Sequence, residues 1–71
     1  MSSDIVKKFA NKLKLIRKER NLSQEDFALL CGVDRTHIGR IERLERVPGL
    51  EVLQKFADGL GISLSELLKF D

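Results

Sequence analysis

This 71-residue sequence predicts an all-α fold, a compact bundle of five helices. Three observations carry the prediction. Apolar residues recur at spacings of three and four rather than two, which places them on single faces of helices. Leu, Ile, Lys, Glu and Ala are frequent, and β-branched residues never alternate in the strand pattern. Asn21, Gly32, the Pro48-Gly49 pair and Gly61 fall between the apolar runs, where helices stop and start. The length allows one domain, residues 1–71. A domain of this size buries only about 60% of the surface of its unfolded chain, and self-association is a common remedy.

The first helix begins after Asp4, which can cap it. Ile5, Phe9, Leu13 and Ile16 form its apolar stripe. Lys7, Lys8, Lys12, Lys14 and Lys18 occupy the other sides, solvated or within reach of phosphate. Asn21 ends this helix in the left-handed conformation, and Leu22 folds back to the core.

Gln24 to Arg43 is the most informative stretch, two short helices joined by a tight turn at Gly32. Ser23 precedes the first with Asp26 three residues on, an imperfect capping box. Asp34 caps the second. Gly32 can take the left-handed conformation between them, with Val33 as an apolar plug beneath the turn. Ala28 is small where two helices must cross closely. Ile38 and Ile41 share the inner face of the second helix, while Arg35, Thr36, Gly39, Arg40 and Arg43 point away. A helix anchored at its back, with guanidinium groups on its front, suits the major groove of DNA.

Beyond the Pro48-Gly49 loop, the fourth helix runs from Leu50 to Leu60, with Leu50, Leu53, Phe56, Ala57 and Leu60 on its core face. Gly61 ends it, and Ile62 is a buried connector. The fifth, 63–70, opens with a Ser63-Leu64-Ser65-Glu66 capping box. It then places Leu64, Leu67, Leu68 and Phe70 within seven residues. A single short helix cannot bury all four on its own domain, so they form a dimer interface; the alternative is that they close the core of a monomer.

The net charge is +2, unevenly placed. Residues 1–46 carry eleven Lys/Arg against seven Asp/Glu, and residues 47–71 carry two against four. Charge alone reads as a solvated surface; the helix-turn-helix spacing turns it towards a polyanion on one side. Cys31 is the only cysteine and His37 the only histidine, so neither an internal disulfide nor a metal cluster is expected. Cys31 is read as a buried structural residue. No cofactor or small-molecule ligand is implied. No apolar stretch approaches the ~20 residues of a membrane span, and the first sixteen residues mix lysines among the apolar ones, unlike a signal peptide. A cytoplasmic location is expected. No Ser/His/Asp set or glycine-rich phosphate loop supports an enzyme.

The segment resembles the helix-turn-helix of the Cro-type phage-repressor (XRE-like) family at Gln24, Ala28, Gly32, Ile38, Ile41 and Glu42. The likeness extends from about Phe9 to Leu68, and Asp34-Arg35-Thr36-His37-Ile38 with Ile41-Glu42-Arg43 is most similar to controller proteins of restriction–modification systems. The resemblance implies a lambda-repressor-like domain and an Arg17–Glu42 ion pair that fixes the recognition helix. The alternative for these two residues is direct DNA contact. The family often has Gly where Leu44 stands, so the chain here either continues as helix or turns differently. In controller proteins an arginine at the Arg46 position helps contact DNA.

Role by role, Arg35 and Arg40 are expected to read guanine, and Thr36 a thymine methyl or a base edge. Gln24, Arg43 and Arg46 are expected to hold the phosphate backbone. His37 replaces the tyrosine usual in controller proteins, and its ring either touches phosphate or sugar or packs locally. Gly39 allows close approach to the groove. The leading function is a homodimeric transcription regulator of double-stranded DNA with an approximately palindromic operator, its two recognition helices about 34 Å apart. The alternative is the DNA-binding antitoxin of a toxin–antitoxin pair, or another protein-interaction module, using the apolar C-terminal face.

Overall fold

The computed structural model describes residues 4–70, in which the regular elements are α1 (Asp4–Glu19), α2 (Gln24–Cys31), α3 (Arg35–Glu42), α4 (Leu50–Leu60) and α5 (Leu64–Leu67). The expected all-α architecture is therefore present. Residues 1–3 and 71, the ends of the predicted domain, lie outside the described residues.

Local chemistry sets most boundaries. Ser23 and Asp26 make a complete capping box, with Ser23 Oγ accepting from the Asp26 amide at 3.0 Å and Asp26 Oδ2 accepting from the Ser23 amide at 3.4 Å. Asp34 Oδ1 accepts from the Thr36 amide at 2.8 Å and so starts α3. Ser63 caps α5 through the Glu66 amide at 3.0 Å. Asp4 is not a cap but lies within the described helix, where its charge favours the helix dipole.

The first four helices end in the same way. Asn21, Gly32, Leu44 and Gly61 have φ of 57°, 70°, 65° and 69°. The amide of the next residue in each case reaches back five positions: Leu22 to Arg17, Val33 to Ala28, Glu45 to Arg40 and Ile62 to Ala57. This wrap-around satisfies carbonyls that the helix leaves open. Leu44 thus makes the turn that glycine would make, against a steric penalty of about 1–2 kcal/mol for an L-residue.

These turns fold the helices around one core. Phe56 of α4 stacks against Phe27 of α2 at 5.5 Å between ring centroids and against Phe9 of α1 at 6.5 Å. Leu13, Ile38, Ile41, Ala57, Leu60 and Leu67 close around them. Ala28 is buried, and Gly59 is small for a reason: a Cβ there would lie 2.7 Å from Cys31 Sγ and 3.1 Å from the Leu30 carbonyl oxygen. Cys31 is buried, and burial raises its thiol pKa to about 11, so it is a protonated, inert packing group at neutral pH.

Several expectations are corrected. Ile5 is 64% exposed and Leu50 77% exposed, so neither belongs to the core stripe assigned to its helix. Both lie in the first turn of a helix, where the core no longer lies beneath the stripe. The C-terminal helix spans only Leu64–Leu67, not 63–70. Leu67 is fully buried inside its own domain, and Leu64 and Phe70 pack against the same core. Leu67 is therefore no part of a dimer surface; of the four residues assigned to it, Leu68, 40% exposed, is the most open. Lys12 does not point freely to solvent. Its ammonium donates to the carbonyls of Glu66, at 2.9 Å, and Lys69, closing the open end of α5.

Gly59→Ala is expected to destabilise the domain by about 1–3 kcal/mol through overpacking, and Leu67→Ala by about 2–5 kcal/mol through a cavity. Urea unfolding followed by circular dichroism checks both.

Candidate nucleic-acid interface

The surface in question is built from the back forwards. Ile38 and Ile41 are fully buried and fasten α3 to the core. A second fastening is polar. Arg17 Nε donates to Glu42 Oε2 at 2.7 Å and Arg17 Nη2 to Oε1 at 3.0 Å, a bidentate pair that is almost wholly buried. Arg17 Nη1 also donates to the Leu22 carbonyl at 2.8 Å, and Gln24 Nε2 to Glu42 Oε1 at 3.0 Å. One cluster thus ties α1, the α1–α2 turn, the start of α2 and the end of α3.

Burial alone would push the Glu42 carboxyl up, but hydrogen bonds from Arg17 and Gln24, with the Arg17 charge, together hold it below its usual value. Arg17 and Glu42 face each other in the interior, so neither offers a contact to a ligand. Gln24 is half-buried, and one N–H of its side-chain amide is engaged by Glu42.

The front of α3 is open. Arg35, Thr36 and Arg40 are exposed. Arg35 Nη1 lies 3.8 Å from Glu25 Oε1, both side chains in solvent. Arg43 is exposed just past the helix end, with Nε and Nη2 donating to the two Glu45 carboxylate oxygens at 3.0 and 3.2 Å. Arg46 is exposed in the loop before α4. Gly39 shares the front of α3 but is not bare: Arg43 Nη1 would lie 3.0 Å from a Cβ there, and Gln24 Oε1 3.5 Å. The close approach expected at Gly39 is therefore covered by the Arg43 side chain.

His37 packs locally. It is half-buried, and its Nε2 is hidden without a hydrogen-bond partner among the described residues. Burial lowers its pKa first, and the charges of Arg46 and Arg40 lower it further against the opposing pull of Asp34. This environment disfavours the charged ring.

Glu25 and Glu45, which hold two of the arginines, were not singled out from the sequence. The signal was present for Glu45, an acid two residues beyond Arg43 in a turn. It was weak, because such pairs on surfaces usually mean little. Among the described residues there is no cluster of three or more His, Cys, Asp or Glu fit for a metal, and no helix long and apolar enough to cross a membrane.

A helix-turn-helix family profile matches residues 13–67, from the middle of α1 to the end of α5. The chain belongs to the XRE-type helix-turn-helix family. It is 50% identical over 66 residues to the control protein C.MunI of a Mycoplasma species, covering 92% of this chain and 89% of that one. The crystal structure of the restriction–modification controller protein C.AhdI of Aeromonas hydrophila superposes with a TM-score of 0.81 at 39% identity, over 87% of this chain and 94% of that one. The controller protein C.Esp1396I, solved as a tetramer with its natural 35 base-pair operator, gives a TM-score of 0.84 at 34% identity, over 94% of this chain and 92% of that one. The chain is therefore a regulator homologous to restriction–modification controller proteins.

The buried ion pair predicts a pH-dependent stability. Because Glu42 holds its proton less readily when folded, the stabilisation is complete above the usual carboxylate value of 4.5 and is lost as pH falls through the lower folded value. Glu42→Ala, which leaves Arg17 buried and unpaired, is expected to lower stability at pH 7 by about 3–5 kcal/mol. The gap to the parent should narrow in acid. Thermal unfolding of both proteins between neutral and acidic pH measures it.

Proposed function

We propose that this chain is a sequence-specific, double-stranded-DNA-binding transcription regulator that acts as a dimer on a palindromic operator, as a controller protein of a restriction–modification system. One observation carries this reading. α3 is locked by its back to the core and through Glu42 to α1, while Arg35, Thr36 and Arg40 stand open on its front. Arg35 and Arg40 can each offer two N–H groups to guanine O6 and N7, and Thr36 a methyl to thymine. Arg43 and Arg46, at the far end, hold phosphate and set register. The operator complex of C.Esp1396I supports the same use of this fold. The protein works without a cofactor in the cytoplasm, where its operator lies.

The second copy covers an apolar groove of about 270 Å³ lined by Ile5, Phe9, Val47, Leu53, Leu68 and Phe70, with Arg46 also on its wall. Ile5 and Val47 are largely exposed beside it. The groove adjoins Ile41 at the C-terminal end of α3, so a second copy seated there lies beside the recognition helix. This placement fits an operator whose half-sites lie about one helical turn apart. Of the four residues expected at the interface, Leu68 and Phe70 line this groove, while Leu67 is buried in its own domain.

Arg35→Ala is expected to weaken binding to the DNA upstream of the protein's own gene by about 1–3 kcal/mol and to relax preference at one base position. Selection of binding sites from random duplexes by both proteins measures this; an unchanged preference counts against the role of Arg35. Leu68→Asp is expected to shift the protein to monomer in sedimentation and to weaken operator binding with it. A Leu68→Asp protein that stays dimeric contradicts the placement of the interface.

A further inference from the structure

The DNA-facing surface of the free protein is closed over at its centre. The Arg43 guanidinium lies against Gly39 and is held there by both oxygens of Glu45. Gly39 is the only position on the front of α3 without a side chain, and hence the place where a duplex could come nearest the helix axis. With Arg43 folded across it, that approach is blocked, and one edge of the guanidinium, Nε and Nη2, is already filled.

We propose that Glu45 is a positioning residue that acts through Arg43, holding it across Gly39 and limiting the affinity of the protein for DNA. The inference rests on the reading of α3 as a DNA-contacting helix. Three features support it. The contact is two-pronged, matching a planar guanidinium to a planar carboxylate, so it fixes direction as well as distance. Both side chains are exposed, so the contact is reversible and open to competition by phosphate. Their protonation equilibria agree with a formed pair: the hydrogen bond to Glu45 raises the pKa of Arg43, and the hydrogen bond from Arg43 lowers that of Glu45.

On DNA, Glu45 competes with a phosphate for Arg43. Where the pair persists, Arg43 neutralises no phosphate and stays across Gly39. Every duplex meets this competition, whatever its sequence. The affinity of the protein is therefore held down by a group that need not touch the DNA. Glu25, 3.8 Å from Arg35, has a similar place at the other end of the helix, but with a single, longer contact.

The test is a double-mutant cycle read by salt dependence. Binding of the full chain is measured for the parent, Glu45→Gln, Arg43→Gln and the double variant. Two probes are used, a short duplex of arbitrary sequence and the DNA upstream of its own gene. Glu45→Gln should tighten binding to both probes at low salt. It should also steepen the slope of log affinity against log salt by about 0.9, the value for one further phosphate neutralised. The advantage over the parent should then shrink by about 3.5-fold between about 50 and 200 mM salt. In the Arg43→Gln background the Glu45 substitution should do nothing.

Three results overturn the proposal. An unchanged affinity and slope in Glu45→Gln would mean that the pair does not limit binding. An effect that persists without Arg43 would mean that the carboxylate repels DNA directly. Weaker binding to the upstream DNA alone, at unchanged slope, would make Glu45 a base reader. A parent protein that binds neither probe in a salt-dependent way sinks the DNA-binding reading as well, which separates that failure from this one. Thermal unfolding of each variant confirms that the exposed substitutions leave the fold intact.

Discussion

The bidentate contact between Arg17 and Glu42 is the constraint on which the rest of the molecule depends. An eight-residue helix such as α3 is too short to persist alone in water. Two isoleucines hold its inner face, but apolar contacts tolerate small rotations and slides. The paired carboxylate and guanidinium do not, because two parallel hydrogen bonds fix both distance and plane. Gln24 adds a third donor to the same carboxylate, so the start of α2 and the end of α3 are tied to one point.

That arrangement divides the surface of α3 sharply. Behind it lies a cluster in which donors and acceptors meet within the protein. In front stand the exposed arginines: Arg40, Arg35 with Glu25 at 3.8 Å, and Arg43 turned to Glu45. Rigidity at the back makes the front useful. A base edge discriminates only if the side chain that reads it arrives in a set place, and a helix free to roll would blur the difference between one base pair and the next.

Much of this was legible in the sequence because it is local. Ser23, Asp34 and Ser63 announce helix starts, and Asn21, Gly32 and Gly61 announce ends, through bonds reaching no further than five residues. The Arg17–Glu42 pair, 25 residues apart, came instead through resemblance to a family. What failed was long-range or marginal. Periodicity placed Ile5 and Leu50 on core stripes, yet it carries no information on where the core stops. Four apolar residues crowding a short segment suggest a partner for Leu67, whereas Phe56 and its neighbours have room to take it in. Lys12 could not be matched to the carbonyls it caps, more than fifty residues away. Leu44 looked unsuited to a left-handed turn and makes one, since the bond from Glu45 to the Arg40 carbonyl, at 2.8 Å, holds it there.

The coupling between Arg17 and Glu42 tests the central claim most directly. It is obtained from the unfolding free energies of the parent, Arg17→Met, Glu42→Gln and the double variant, with operator affinity measured on the same four proteins under conditions where each is folded. The account predicts a coupling clearly above the 0–1 kcal/mol or so of surface pairs, and operator affinity that falls in both single variants although neither side chain faces the DNA. A coupling no larger than a surface pair gives, or folded variants that bind the operator as the parent does, would contradict it.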